Sequence, residues 1–101
     1  MVTIFSLNRR EGVRVVYDLK PVNNQKSFYG KAQVFEMKDG SKYLKSYDTF
    51  VCKIEPDGTF SKTWNDYSDT TKKHVNAFRI VNGLDQISKK EWNSLDYYPV
   101  K

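Results

Sequence analysis

Few residues in this sequence carry side chains that commonly do chemistry. His74 is the single histidine, so a histidine-based triad would have to use it. Its one acidic neighbour of interest, Asp69, precedes it on the same predicted helix, which is a poor geometry for an acid–base pair. A helical histidine flanked by Val75 and Phe78 is typical of a packed structural residue. The sequence therefore predicts no catalytic residue and no enzyme.

The patterns of cysteine, glycine and carboxylate residues also favour the absence of a catalytic or cofactor site. Cys52 is the only cysteine, which excludes an intrachain disulfide and a four-thiolate zinc site. It alternates with Phe50 and Ile54, and this spacing predicts a buried thiol on the inner face of a strand. The five glycines are isolated and form no phosphate-binding loop, while Asp66 and Asp69 favour a helix start. We predict a reducing compartment, no cofactor and no metal site.

Basic side chains form two clusters. The chain has 17 Lys and Arg against 12 Asp and Glu, a net charge of +5, and such an excess favours an acidic or polyanionic partner. One cluster projects from the predicted helix away from its apolar stripe, and the other lies on the first predicted hairpin. These candidate binding residues are Lys72, Lys73, Asn76 and Arg79 on the helix and Arg9, Arg10 and Arg14 on the hairpin. We predict that they bind nucleic acid.

Aromatic residues offer a second binding signal. The chain contains seven Tyr, six Phe and two Trp. Five of these rings lie among lysines, an arrangement that single-strand binders use to stack unpaired bases. They are Tyr29, Tyr43, Tyr47, Trp64 and Tyr67, among Lys31, Lys42 and Lys45. The other interpretation, which the sequence favours, is that these rings fill a small β core. The segment from Phe28 to Phe35 does not fit the aromatic RNA-recognition strand motif.

The elements that must position these residues begin with strands. Apolar residues repeat with period two, the pattern of half-buried strands. The sets sharing one parity are Val13, Val15, Tyr17 and Leu19; Ala32 and Val34; Tyr43 and Tyr47; and Phe50, Cys52 and Ile54. Residues 38–40 and 56–58 each end in Gly and predict hairpin turns. Residues 8–12 predict a third turn and residues 2–7 a further strand. The result is an antiparallel β-meander of five to six strands that ends near Trp64.

Helical spacing follows the strands. Thr71, Val75 and Phe78 recur at this spacing, Ser68 suits an N-cap, and Gly83 supplies a stop, which predicts a helix over residues 69–82.

A second, shorter helix is indicated by a capping box. Ser88 and Glu91 have the spacing of the box, and Ile87 with Trp92 occupies the staple positions around it. A short helix therefore begins at Lys89. The sequence predicts an α+β single domain over residues 1–101: a β-meander of five to six strands followed by one main α-helix and a short C-terminal helix.

Hydropathy favours a cytoplasmic protein. Residues 1–7 form the only apolar N-terminal stretch, which is too short for a signal peptide, and no apolar run reaches membrane-spanning length. We predict a cytoplasmic location and no membrane partner.

Four segments resemble a group of small uncharacterised proteins from phages and mobile elements of Gram-positive gut and related bacteria. The segments are residues 24–32, 44–49, 67–78 and 88–92, and the resemblance extends over about residues 24–95. It implies a bacterial host cell and an accessory protein that binds nucleic acid or a host nucleoprotein complex. The alternative is a protein-directed inhibitor of a bacterial defence system, similar to an anti-CRISPR protein. A homo-oligomer also stays open, because a small sheet has edges that need cover.

Overall fold

Strands precede helices along the chain, in the order that the hydrophobic periods predict. The computed structural model describes residues 12–21, 28 and 30–99. These residues form strands β1 (Val13–Asp18), β2 (Ala32–Met37), β3 (Lys42–Ser46), β4 (Thr49–Ile54) and β5 (Phe60–Lys62), then helices α1 (Asp69–Val81) and α2 (Lys89–Ser94). The predicted α+β class and the order of its elements are confirmed. The predicted strand at residues 2–7 lies outside the described residues.

The sheet is an antiparallel meander in which each strand pairs with its neighbour in the chain. The two turns predicted at residues 38–40 and 56–58 are confirmed: Gly40 and Gly58 have φ of +96° and +91°, values that an L side chain rarely adopts. In each turn an aspartate stabilises the bend, Asp39 by accepting a bond from the Ser41 amide at 2.8 Å and Asp57 from the Thr59 amide at 2.9 Å. Of the third predicted turn only Gly12 is described.

Two register irregularities alter the strict alternation expected from the sequence. The pairing of β1 with β2 shifts between Val13 and Val15, so Val13 packs with the cluster of Phe35 and Phe50 while Val15 lies on the opposite face. The pairing of β3 with β4 shifts at Val51, which separates Phe50 from Cys52. A bulge inserts one residue and so moves the following side chains to the other face. The single faces predicted for residues 13–19 and 50–54 are therefore wrong at Val13 and Phe50.

The main core lies between the sheet and the two helices. Val34, Leu44 and Cys52 from the sheet meet Phe78 of α1 and Trp92 of α2, and all five are buried. Cys52 thus has the buried position that the sequence predicts, and burial raises the pKa of its thiol well above the usual value. Since Trp92 is fully buried, truncating it to alanine is expected to cost about 3–5 kcal/mol.

Both helices begin where the capping signals place them. Ser68 accepts a hydrogen bond from the Thr71 amide at the start of α1. Ser88 and Glu91 form both bonds of the predicted capping box, with the Ser88 amide 3.0 Å from Glu91 Oε1 and the Glu91 amide 3.1 Å from Ser88 Oγ. The predicted helix starts at residues 69 and 89 are confirmed, because capping depends on residues only three positions apart.

Candidate functional site

The predicted basic face of α1 divides into two kinds of side chain. Lys72 and Lys73 are exposed, and within the described part of the chain neither ammonium forms a hydrogen bond or an ion pair. Asn76 and Arg79 are half-buried. Asn76 Oδ1 accepts a bond from the Ile87 amide at 2.8 Å, so it holds the segment before α2 against α1. Only Lys72 and Lys73 of this face are therefore free to contact a partner.

Arg79 binds the same segment and the sheet. Its Nε donates to the Asp85 carbonyl at 2.6 Å, and its guanidinium lies 4.5 Å from the centre of the Phe60 ring. A cation in contact with an aromatic face and a carbonyl stabilises the fold at that point. Arg79 thus joins α1 to β5 and to the segment between α1 and α2.

The predicted arginines of the first hairpin are only partly described. Arg14 is exposed, with 64% of its side chain accessible, and its guanidinium forms an ion pair with Glu36 on β2. An exposed pair of this kind contributes about 0–1 kcal/mol to stability, so Arg14 can exchange its partner at little cost. Arg9 and Arg10 lie outside the described residues.

A tyrosine in an unusual backbone conformation lies at the tip of the hairpin between β3 and β4. We call Tyr47 and Asp48, which connect the two strands, the β3–β4 turn. Tyr47 has φ of 55°, and it is the only non-glycine residue with positive φ in the described segments. The conformation costs about 1–2 kcal/mol for a residue with a side chain. Its amide donates to the Lys31 carbonyl at 2.7 Å, which fixes the turn against the end of the loop before β2.

The Tyr47 ring projects into solvent beside a cation. It is 53% exposed, and Lys31 Nζ lies 5.5 Å from its centre. The strain and the exposure occur in the same residue, and strained exposed residues cluster at functional sites. Sequence reasoning grouped Tyr47 with four other rings and could not single it out, because the sign of φ is not visible in the pattern.

His74 lies behind Tyr47 in the interior. Its Nδ1 is 2.7 Å from Ser46 Oγ on β3, with both residues buried, and Phe28 packs edge-on against its ring at 4.6 Å. The Tyr47 ring centre is 6.0 Å away. Burial lowers the pKa of His74, and the positive charge of Lys73 lowers it further. The imidazole is therefore neutral at pH 7, and it connects α1 to β3 directly beneath the β3–β4 turn.

Ser46 and His74 are also a hydroxyl and a base in contact, the pair that nucleophilic catalysis requires. Two features of the geometry argue for a structural role. Both side chains are covered, and among the described residues no carboxylate orients the imidazole. The contact therefore positions the turn and the helix relative to each other.

The other aromatic rings named by the sequence divide between core and surface. Tyr43 and Tyr67 are buried, and the Tyr67 hydroxyl donates to the Ile87 carbonyl at 2.9 Å, so these two fill the core. Trp64 is 40% exposed. It lies near the C-terminal segment, where Tyr97 forms a bridge to Lys62. Tyr29 lies outside the described residues.

A match to a known family covers most of these features. The model of DUF8033, a family of unknown function, matches residues 17–94. The chain belongs to the DUF8033 family. The matched span contains Lys31, Tyr47, Lys72 and Lys73, whereas Arg14 precedes it. No curated protein matches the chain, and no solved structure matches it.

No helix in the described segments is both long and apolar enough to cross a membrane. The same part of the chain contains no group of three or more His, Cys, Asp or Glu side chains placed to hold a metal ion.

Proposed function

We propose that this DUF8033 chain binds single-stranded nucleic acid across the β3–β4 turn and the exposed lysines beside it. The observation that carries the proposal is the half-exposed Tyr47 ring, held in a left-handed conformation next to Lys31. An aromatic face accepts any base, and a neighbouring ammonium attracts the adjoining phosphate. The combination is that of a stacking platform on a basic surface.

The backbone of Tyr47 supports this reading. A hairpin of two loop residues is usually made with Gly, Asn or Asp where φ is positive, and Tyr47 stands at such a position. An ordinary solution would save about 1–2 kcal/mol. The tyrosine therefore serves a purpose other than stability, and outward presentation of its ring is the visible result of the conformation.

Two exposed lysines of α1 supply further positive charge. Lys73 precedes His74, whose ring is 6.0 Å from Tyr47, and Lys72 is the next exposed cation on the helix. We call Lys31, Lys72 and Lys73 the cationic set. With a net charge of +5, the chain attracts a polyanion from a distance, and these three ammonium groups can each neutralise a phosphate.

The test is binding of a fluorescent oligothymidine of about 15 nucleotides, measured by anisotropy over a series of salt concentrations. Each lysine that contacts a phosphate contributes about one unit to the slope of log K against log salt. Lys72→Glu with Lys73→Glu should weaken binding and flatten this slope by about one to two units. Binding that does not depend on salt would contradict the proposal.

A matched control exists on α2. Lys89 and Lys90 are also adjacent exposed lysines at the start of a helix, and their replacement by Glu changes the net charge by the same amount. If binding depends on local contacts, this control should alter affinity much less than the change at Lys72 and Lys73. Equal losses would indicate attraction by net charge alone.

The contribution of the Tyr47 ring has its own control, Tyr98. Tyr98 is 51% exposed and lies beside Lys53 at 6.0 Å, much as Tyr47 lies beside Lys31. Since stacking on one ring contributes about 1–3 kcal/mol per base, Tyr47→Ala should weaken binding roughly 5- to 150-fold. Tyr98→Ala should have little effect.

The biological setting proposed for this binding is a phage or mobile element inside a bacterial cell, where the target is nucleic acid or a host complex that handles it. A protein-directed inhibitor of host defence is the second candidate. It is favoured by a groove of about 360 Å³ between β1 and the end of α1, lined in part by Tyr17, Leu19 and Val81, with Tyr17 and Val81 exposed. Pull-down from bacterial lysate with and without nuclease separates the two, because only a nucleic-acid-dependent complex is lost on digestion.

A further inference from the structure

A small aromatic cleft lies next to the β3–β4 turn. Its volume is about 250 Å³, and it is lined by Asp48, Thr49, Phe50, Thr63, Trp64, Tyr97 and Pro99. Trp64 and Tyr97 are 40% and 43% exposed, so their rings remain accessible. Pockets for drug-sized ligands begin at about 300 Å³. The cleft is therefore suited to one planar ring system rather than to a complete nucleotide cofactor.

The cleft adjoins the surface proposed to bind nucleic acid. Asp48, which lines the cleft, directly follows Tyr47 in the chain, and consecutive Cα atoms are about 3.8 Å apart. The lining of the cleft thus begins one residue after the ring that is proposed to stack a base. In the part of the chain that the structure describes, no lysine or arginine lines the cleft, so an uncharged ring is favoured there over a phosphate.

Among the described residues that line the cleft, Asp48 is the one with a charged side chain. The Asp48 carboxylate is an acceptor with two oxygens. The Thr63 hydroxyl donates to the Phe50 carbonyl at 2.7 Å. The Thr63 hydroxyl oxygen can therefore only accept a hydrogen bond from a ligand. A ligand with adjacent N–H donors matches this arrangement best, because a carboxylate can accept two parallel hydrogen bonds.

We propose that the cleft binds an unpaired guanine, stacked against Trp64 and Tyr97 and donating from its N1–H and its 2-amino group to Asp48. Guanine alone among the common bases has two adjacent donors on its Watson–Crick edge. That edge is occupied in a duplex, so the guanine must be unpaired. This inference rests on the proposed function and specifies its ligand.

The experiment compares three oligonucleotides of equal length: oligothymidine, the same strand with one central guanine, and the same strand with one central inosine, which lacks the 2-amino group. A buried bidentate pair discriminates by about 1–3 kcal/mol. At this partly exposed site we expect the guanine strand to bind about fivefold to tenfold more tightly than oligothymidine. The inosine strand should lose most of that gain.

Asp48→Asn provides a readout that a purely structural role would not change. The amide has one acceptor oxygen in place of two and carries no charge. In this variant the ratio of the affinities for the guanine strand and for oligothymidine should fall to about one, because the paired acceptors of the carboxylate are lost. An RNA strand of the same design tests whether the sugar matters.

Tryptophan emission locates the base. Trp92 is fully buried, so a change in emission on binding reports on Trp64. The guanine strand should quench this emission, and Trp64→Phe should bind with no quenching.

The outcomes separate the two proposals. If oligothymidine binds with the expected salt dependence but guanine gives no preference, or if Asp48→Asn keeps the preference, the cleft inference is overturned and the proposed function stands. If none of the strands binds at low salt, the proposed function fails and this inference fails with it.

Discussion

Mild acid should destabilise the folded protein mainly through His74. The imidazole is buried against Ser46 and Phe28, and burial together with the charge of Lys73 lowers its pKa from the ordinary value of 6.5. Between the lowered pKa and 6.5 the unfolded chain binds more protons than the folded one. The free energy of unfolding therefore rises with pH across this window, and the contribution is complete above 6.5.

The size of this pH dependence is limited by the one proton that His74 can bind. One imidazole can contribute at most a difference of one bound proton, so the slope of the free energy of unfolding does not exceed about 1.4 kcal/mol per pH unit. Aspartates and glutamates with lowered pKa values, such as Asp39 and Glu91, start from 3.8 and 4.5, so their contributions are lost at lower pH. The interval from about pH 5 to 6.5 therefore reports mainly on His74.

Urea denaturation followed by tryptophan fluorescence, repeated between about pH 5 and 7.5, measures the slope. His74→Asn is the matched variant, because its side-chain amide can still bond to Ser46 and does not titrate in this range. The wild-type curve should slope and the variant curve should be flat. A flat wild-type curve, or equal slopes in both proteins, would refute the assignment of a neutral buried imidazole.

Three further predictions test separate features. Ser88→Ala removes one bond of the capping box and should lower the free energy of unfolding by about 1 kcal/mol, measured by urea denaturation; no loss would show that α2 does not need its cap. Cys52, buried with a raised pKa, should react with a thiol reagent only when the protein unfolds; rapid labelling of the native protein would contradict its burial. Tyr47→Asn relieves the left-handed strain and loses a half-exposed ring, so thermal denaturation should show a stability within about 1 kcal/mol of the wild type. Oligonucleotide binding should weaken as much as in Tyr47→Ala, and a large drop in stability would mean that the ring serves the fold.

Substitutions in the cationic set and in the cleft should have different effects on binding, so the two proposals can be tested separately. Changes in the cationic set should affect all single strands alike and change the salt dependence, because phosphates carry no sequence information. A change at Asp48 should alter base preference and leave the salt slope intact. A protein partner would follow neither pattern.

The sequence predicted the local structure well because the signals act over short distances. The glycines at the ends of the two hairpin turns, the capping box of Ser88 and Glu91, and the helical period of α1 each depend on residues within about one turn of helix. The same reasoning placed Cys52 inside correctly. It failed at Val13 and Phe50, because a bulge depends on how two strands pair and each strand alone shows only alternation.

The candidate site was predictable only in part. Lys72 and Lys73 were found from helical spacing, since an outward position on a helix follows from the apolar stripe opposite. Asn76 and Arg79 show the same spacing, yet the segment before α2 binds both of them, and nothing near them in the sequence indicates that contact.

Periodicity and capping signals in the sequence predicted which segments are strands and helices, where both helices begin, and that Lys72 and Lys73 face solvent. They did not indicate that Lys31, Tyr47 and His74 lie together or that Trp64 and Tyr97 line a cleft with Asp48. The physical reason is the separation along the chain of the residues that interact. Turns, helical hydrogen bonds and capping are settled among near neighbours, whereas the Ser46 to His74 contact joins residues 28 positions apart and exists only once α1 packs on the sheet.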